Sequence, residues 1–263
     1  MFERLRLHGG PWDVVVIGGG ATGLGCAVDA AVRGYRVALF ERGDFAVGTS
    51  SRSTKLIHGG VRYLRRGQMF LVAESLRERA RLHKNAAGLV QPIPIVVPTY
   101  KWWEKSYMGA GLKLYDALSG RGGMGRSRSL KRERALELLP TLRDDGLRGG
   151  VLYHDAQFDD ARLAVALART AAREGAVVAN YSEVTALLAD RENVTGVVAR
   201  DTETGETHVV PARVVINATG VYADAIRRMD DPEARPIIRP SRGVHIVLER
   251  HFLPGTAALL VPN

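Results

Sequence analysis

Residues 13–42 read DVVVIGGGATGLGCAVDAAVRGYRVALFER, an order of strand, glycine turn, helix and second strand that leaves an acid at the end of that strand. The apolar, β-branched run at 13–17 is what a parallel strand covered on both faces requires. Gly18, Gly20 and Gly23 complete G-x-G-x-x-G, and Glu41 follows at the spacing of about 20 residues that a dinucleotide site uses. Gly18 allows the tight turn, Gly20 lets the backbone approach a pyrophosphate, and Gly23 lets the helix pack closely on the strand. The amides of Ala21 and Thr22 open the helix, where its dipole favours negative charge. Glu41 carries acceptors for two ribose hydroxyls and would repel a 2′-phosphate, which disfavours NADP. With 29 glycines in the chain a lone match would carry little. Here strand, turn, helix and acid occur together, and they specify an α/β fold begun by a βαβ unit.

At 263 residues, 46% hydrophobic and 25% charged, the chain can bury a large core in one or two domains. Phe2, Leu5 and Leu7 are interrupted by Glu3, Arg4, Arg6 and His8, so no secretory signal is visible and a cytoplasmic location is the default expectation. No window approaches the roughly 18 uninterrupted apolar residues of a spanning helix. Cys26, the only cysteine, excludes an internal disulfide or a cysteine metal site and reads as a small hydrophobe; no metal site is expected. The net charge of +9 is uneven: residues 101–134 hold nine basic residues against three acidic ones, most of the excess in one segment.

After Glu41 comes a polar loop, GTSSRSTKLIHGGVRYL at 48–64, then an amphipathic helix expected over 68–87. Pro92, Pro94 and Pro98 favour a short edge strand around 93–97. A helix is expected over 104–119. Asp159 and Asp160 are placed to cap another that Gly175 ends, before a strand at 177–179. Short antiparallel strands are expected at 183–189, 194–200 and 207–211, then a buried strand from 213 that ends in Asn217, Ala218, Thr219 and Gly220. The dinucleotide domain is therefore assembled from separated parts of the sequence. His154 and Asp155 have no motif around them and read as structural.

Small residues at a strand's carboxyl end, as at 217–220, are a weak signal alone. The loop at 48–64 makes them specific. With the glycine turn, DDARL at 159–163 and GVHIV at 243–247, it closely resembles the FAD-dependent glycerol-3-phosphate dehydrogenases, respiratory enzymes that oxidise sn-glycerol 3-phosphate to dihydroxyacetone phosphate. The resemblance runs from Asp13 to the end of the chain. It implies a Rossmann-like FAD-binding fold of the DAO type with a discontinuous substrate domain: FAD domain at 1–92, substrate- or membrane-facing insertion at 93–150, FAD domain again at 151–235, and the start of a substrate sheet at 236–263.

By resemblance, Gly18, Gly20, Ala21, Thr22, Gly23, Glu41 and Arg42 form the FAD pyrophosphate and ribose site, with Ala218, Thr219 and Gly220 beside it. Thr49, Ser50 and Ser51 match the loop that runs along the cofactor. Lys55, His58, Gly59 and Gly60 match the segment beneath the isoalloxazine, where donors stabilise the reduced, anionic flavin. Val184 matches the position whose backbone meets the adenine. Arg62, Tyr63 and His245 match residues that face the substrate. Hydride leaves C2 for flavin N5 while the hydroxyl proton needs a base, for which the resemblance puts His245 first. Arg62 offers a fork of donors for an anion, and Tyr63 orients a hydroxyl or phosphate oxygen. Without the resemblance, His245 on an apolar strand reads as a core residue and Arg62 as a surface charge. Arg242 stands where many relatives carry lysine, and reads either as an anion ligand or as a solvated charge.

The family passes electrons to quinone at a membrane surface. In the basic segment, Met108, Leu112, Tyr115 and Leu118 recur at helical spacing, and Trp102 and Trp103 with flanking lysines suit a headgroup-level contact. A packing helix with a solvated basic flank fits the pattern equally. No nucleic-acid motif accompanies the charge, and a homodimer is left open. Further substrate residues and a helical domain of the family lie beyond Asn263, so the chain is expected to be an N-terminal fragment. The alternatives are an oxygen-using oxidase of the glycerophosphate or amino-acid oxidase kind, or a nucleotide-binding fragment without turnover.

Overall fold

The computed structural model describes residues 9–64, 66–191, 193–241 and 243–261. Arg242 and the amino-terminal residues that bear on a secretory signal lie outside that range. In chain order the elements are β1 (Trp12–Ile17), α1 (Ala21–Val32), β2 (Val37–Phe40), a single 3-10 turn (Thr49–Ser51), β3 (Leu56–Ile57), α2 (Val61–Leu64) and α3 (Met69–Asn85). Next come β4 (Val90–Thr99), α4 (Glu104–Ser119), β5 (Arg128–Leu130), α5 (Arg132–Leu138) and β6 (Gly149–Phe158). Then come α6 (Asp160–Arg173), β7 (Val177–Ala179), β8 (Ser182–Ala189), β9 (Val194–Asp201), β10 (Thr207–Asn217), α7 (Ala223–Asp230) and β11 (Ala258–Leu259).

The chain divides into two compact units, one made of residues 1–53 and 160–243, the other of 54–159 and 244–263. The break falls at Ser53 rather than at residue 92, because β3 and α3 belong with β4 and β6. It falls again at Asp159 rather than near 151, because β6 pairs along its length with β4.

In the first unit the sheet order is β7-β2-β1-β10-β9-β8. The first four strands run parallel, and β10, β9 and β8 continue as an antiparallel arm. On one face α1 and α6 pack through small residues, Ala27, Ala31, Ala164, Ala168 and Ala171, onto Val16, Val37, Leu39 and Val178. The other face, Val15, Ile17, Ala38 and Phe40, is covered by Val184, Val197, Ala199 and Val210 of the arm. Strands covered on both sides read as unbroken apolar runs, and that is why β1 and β2 were legible. Two strands expected at 207–211 and from 213 are one: β10 pairs with β9 up to Pro211, then with β1 from Ala212.

The second unit is a sheet in the order β11-β4-β6-β3, with β5 on β6. Alternation along β4 and β6 sends Ile95, Val97, Val151 and Tyr153 against α3 and α4, and Val96 and Leu152 against Leu130, Ala135 and Leu139. The edge strand expected near 93–97 is a ten-residue strand with neighbours on both sides. Val96 accepts the Leu260 amide from the β11 side, so Pro92, Pro94 and Pro98, in the same alternation, turn their missing donors that way and leave the β6 ladder whole. The partner there is only two residues long, which makes this side of β4 edge-like.

Candidate functional site

Ile17 pairs with Phe40 on one side and Asn217 on the other, so β2, β1 and β10 end in one row. From there α1 leaves to the face of Leu24 and Ala27, whereas α7 packs Ile226 on the opposite face. Connections that part to opposite faces open a crevice at the strand ends, the place where α/β sheets bind nucleotides.

The glycine turn is packed to its limit at this point. Gly18 adopts φ +109°, and a Cβ there would lie 2.7 Å from the Ala218 carbonyl oxygen. On Gly23 a Cβ would lie 1.9 Å from the Gly18 carbonyl oxygen and 3.3 Å from the Ala218 Cβ. Gly20 caps α1 without a side chain, and the Ala21 amide donates to Ser50 Oγ at 2.9 Å. Ala21 and Thr22 are exposed, so the positive end of α1 faces outward. Glu41 accepts the Gly19 amide on Oε2 at 2.7 Å and the Gly43 amide on Oε1 at 2.9 Å. Each carboxylate oxygen has two lone pairs, so acceptor capacity for ribose hydroxyls remains. A cradle that a Cβ would fill, an open helix amino end and a fixed carboxylate fit an adenine dinucleotide such as FAD.

Beside the turn, Ala218 donates its amide to the Ile17 carbonyl at 2.8 Å. Asn217 organises the bend between β10 and α7: its Oδ1 accepts the Thr219 hydroxyl at 2.7 Å, and its Nδ2 donates to the Ala223 carbonyl at 2.9 Å, while Gly220 turns with φ +58°. Thr49, Ser50 and Ser51 form the 3-10 turn, and just after it Ser53 donates its amide and hydroxyl to Asp160 Oδ2 at 3.3 and 2.8 Å. The same carboxylate's Oδ1 accepts the Ala161 amide, so Asp160 both opens α6 and anchors this loop. Arg42 stacks its guanidinium 4.0 Å above the Tyr222 ring centroid. Val184 lies on β8, the strand that ends the sheet, with its side chain in the core.

In the second unit, Lys55 holds φ +55° and accepts the Phe158 amide on its carbonyl. His58 is exposed, whereas Gly59 is buried and its amide donates to Tyr115 Oη at 2.8 Å and Asp155 Oδ1 at 3.2 Å. Gly60, at φ +74°, accepts the Tyr63 amide at 2.8 Å and opens α2. Arg62 is exposed with its guanidinium 5.3 Å from the Tyr63 ring, which is itself half-buried against the core. His245 is not on a strand: residues 243–248 have no regular structure, and Val247 is 96% exposed. An alternating apolar pattern becomes a strand only beside a partner, and among the described residues none pairs with this segment. The structure thus places Arg62 and Tyr63 together and joins His245 to them by no element.

Three features escaped the sequence reading. Gly19 is the middle glycine, whose Cβ would lie 2.7 Å from the Glu41 Cβ; the triple glycine at 18–20 was its signal. Asn217 closes the turn after β10, and Asn before a Thr-Gly pair was its signal. The buried Arg79–Asp155 ion pair, 2.6 Å apart, had none: charge at those positions acquires meaning only when α3 and β6 meet. Tyr115 Oη donates to Asp155 Oδ2 at 3.0 Å. Burial, then the adjacent Asp155 charge, pushes the Tyr115 phenol far above its usual range, so it stays a donor.

The family model described as FAD dependent oxidoreductase matches residues 13–262. The mitochondrial glycerol-3-phosphate dehydrogenases of Rattus norvegicus and Homo sapiens are 48% and 49% identical to the chain over 95% of its length. The chain spans 36% of the length of these curated relatives. The crystal structure of the glycerol-3-phosphate dehydrogenase from Bacillus halodurans complexed with FAD is 34% identical, with a TM-score of 0.68, over 88% of this chain and 39% of that one. A glycine cradle at a switch point, a fixed carboxylate after the next strand, and a family match over nearly its whole length agree: the chain belongs to the FAD dependent oxidoreductase family.

Proposed function

We propose that the chain is the cofactor-holding portion of a flavoenzyme that oxidises sn-glycerol 3-phosphate to dihydroxyacetone phosphate. The observation that carries this reading is the packing of Gly18, Gly23 and Ala218 around a Glu41-bearing strand end, in a chain 48% identical to a relative named for that activity. Gly20, Ala21 and Thr22 receive the diphosphate and Glu41 the ribose, with Arg42, Thr49, Ser50, Ser51, Thr219 and Gly220 lining the cofactor and the Val184 backbone toward the adenine. Bound FAD supplies the acceptor for the hydride from C2. Lys55, His58 and Gly60 provide donors on the flavin side, in a segment fixed by the Gly59 amide on Tyr115 and Asp155. Arg62 holds the substrate phosphate with Tyr63, and His245 takes the hydroxyl proton.

Quinone is the acceptor in this reading, and a peripheral position on the cytoplasmic membrane goes with it, with a homodimer as the assembly. Trp102 is 78% and Trp103 43% exposed, and Lys101 lies 5.7 Å from the Trp103 ring, a patch suited to headgroups. Leu112 and Tyr115 are buried in the core, so the helix packs by one face, while Lys113, Leu114 and Ala117 on its other face stay exposed. Among the described residues no helix is long and apolar enough to cross a membrane. The test is anaerobic addition of sn-glycerol 3-phosphate to the flavin-loaded polypeptide extended to the length of its relatives. Bleaching of the flavin bands is expected. Flavin that stays oxidised with this substrate overturns the reading.

A further inference from the structure

We infer that Tyr222 is a positioning residue of the dinucleotide site, holding the Arg42 guanidinium across the mouth of the glycine turn, where its charge meets the diphosphate. The inference rests on the dinucleotide reading above and adds to it a residue that the G-x-G-x-x-G pattern does not contain.

The argument begins with the sheet. Phe40, Ile17 and Asn217 form one row at the ends of β2, β1 and β10. Arg42 lies two residues beyond Phe40, and Tyr222 five beyond Asn217, in the connections that leave the two strands flanking β1. Those flanking strands are separated by two inter-strand spacings, about 10 Å. Side chains that follow those two strand ends and meet at 4.0 Å join the β2 and β10 connections on the side of the sheet where Gly18 begins its turn after β1. The amino end of α1 opens at the same mouth, and anions bind at helix amino ends.

Tyr222 is itself held. Its amide donates to the Thr219 carbonyl at 3.1 Å, in the turn that Asn217 closes, and it caps α7. Tyr222 is 51% exposed and belongs to no core cluster among the described residues, so its aromatic face is not spent on core packing. Arginine over an aromatic face keeps its five donors free at the edge of the plane. A flexible exposed cation is thereby confined to the crevice before the ligand arrives, which lowers the ordering cost of binding. The neighbouring Glu41 turns its carboxylate oxygens to the Gly19 and Gly43 amides rather than to the guanidinium.

The experiment is a fluorescence-quenching titration of FAD onto the purified chain at several salt concentrations, with melting curves as a check on folding. Arg42→Gln is expected to weaken FAD binding about tenfold and to flatten its salt dependence. Tyr222→Leu is expected to weaken it about threefold, while Tyr222→Phe, which keeps the aromatic face, retains the parent affinity. Because Tyr222 acts through Arg42, the double variant Arg42→Gln/Tyr222→Leu is no weaker than Arg42→Gln alone. Additive losses in the double variant, or Tyr222→Leu at parent affinity, overturn the inference while leaving the flavoenzyme reading intact. A parent chain that binds no FAD overturns both.

Discussion

The Gly19 amide donates to Glu41 Oε2 at 2.7 Å, so the middle glycine of the turn aims the acid that ends the next strand. Two parts of the proposed dinucleotide site that lie 22 residues apart are thereby one unit, and Gly43 completes the grip on the other oxygen.

Glu41→Lys removes the acceptor for two backbone amides and places a cation where the ribose should lie. FAD affinity is expected to fall about tenfold or more. The flavin-to-protein absorbance ratio after purification reads it, and an unchanged ratio refutes the ribose role.

Gly23→Ala sets a methyl group 1.9 Å from the Gly18 carbonyl oxygen, a backbone atom that cannot rotate away. α1 must lift from β1, at a cost of about 1–3 kcal/mol. Urea denaturation measures the loss, and FAD binding should weaken with it. Parent-like stability would show that the helix slides freely.

Asp155→Ala leaves Arg79 charged and buried, both side chains being 1% exposed in the parent. Removing one partner of such a pair costs about 3–5 kcal/mol. Arg79→Met/Asp155→Leu, which removes both charges, should recover most of it. A single variant within about 1 kcal/mol of the parent in urea denaturation would mean that the pair is hydrated.

Asp13 should shape stability in acid. Its hydrogen bonds from the Arg36 side chain and backbone, outweighing desolvation, lower its pKa from the usual 3.8 to about 2. A depressed folded value means stability that is present above 3.8 and lost as pH falls toward 2. The melting-temperature gap between the parent and Asp13→Asn should therefore close over that window and stay level from about pH 5 to 7. A gap that does not change with pH would detach the effect from ionisation.

Trp102→Ala/Trp103→Ala removes two adjacent exposed aromatics of the basic segment. Co-sedimentation with anionic liposomes should drop several-fold. Equal partitioning of parent and variant would remove the membrane contact from the proposal.

Elements whose apolar pattern repeats without interruption were the legible ones. α4 spans 104–119 as its spacing predicts, since a stripe of Leu112 and Tyr115 against a polar face has one solution. β6 was not foreseen, because Tyr153 and Asp155 share its buried alternation and a buried aspartate looks like solvent exposure until Arg79 is found beside it. His245 shows the converse: Val244, Ile246 and Val247 carry a strand pattern, and pattern without a neighbour yields none.

Local chemistry determined the βαβ unit, the glycine turn and the acid after it, because strand, helix and turn preferences act over a few residues. Which chain segments flank that turn was decided only in three dimensions. Ala218 reaches Gly18, and Tyr222 reaches Arg42, through a sheet order that interleaves β10 with β1 across some 200 residues of sequence. No local preference encodes such a pairing, since its energy comes from burying two faces of one sheet at once.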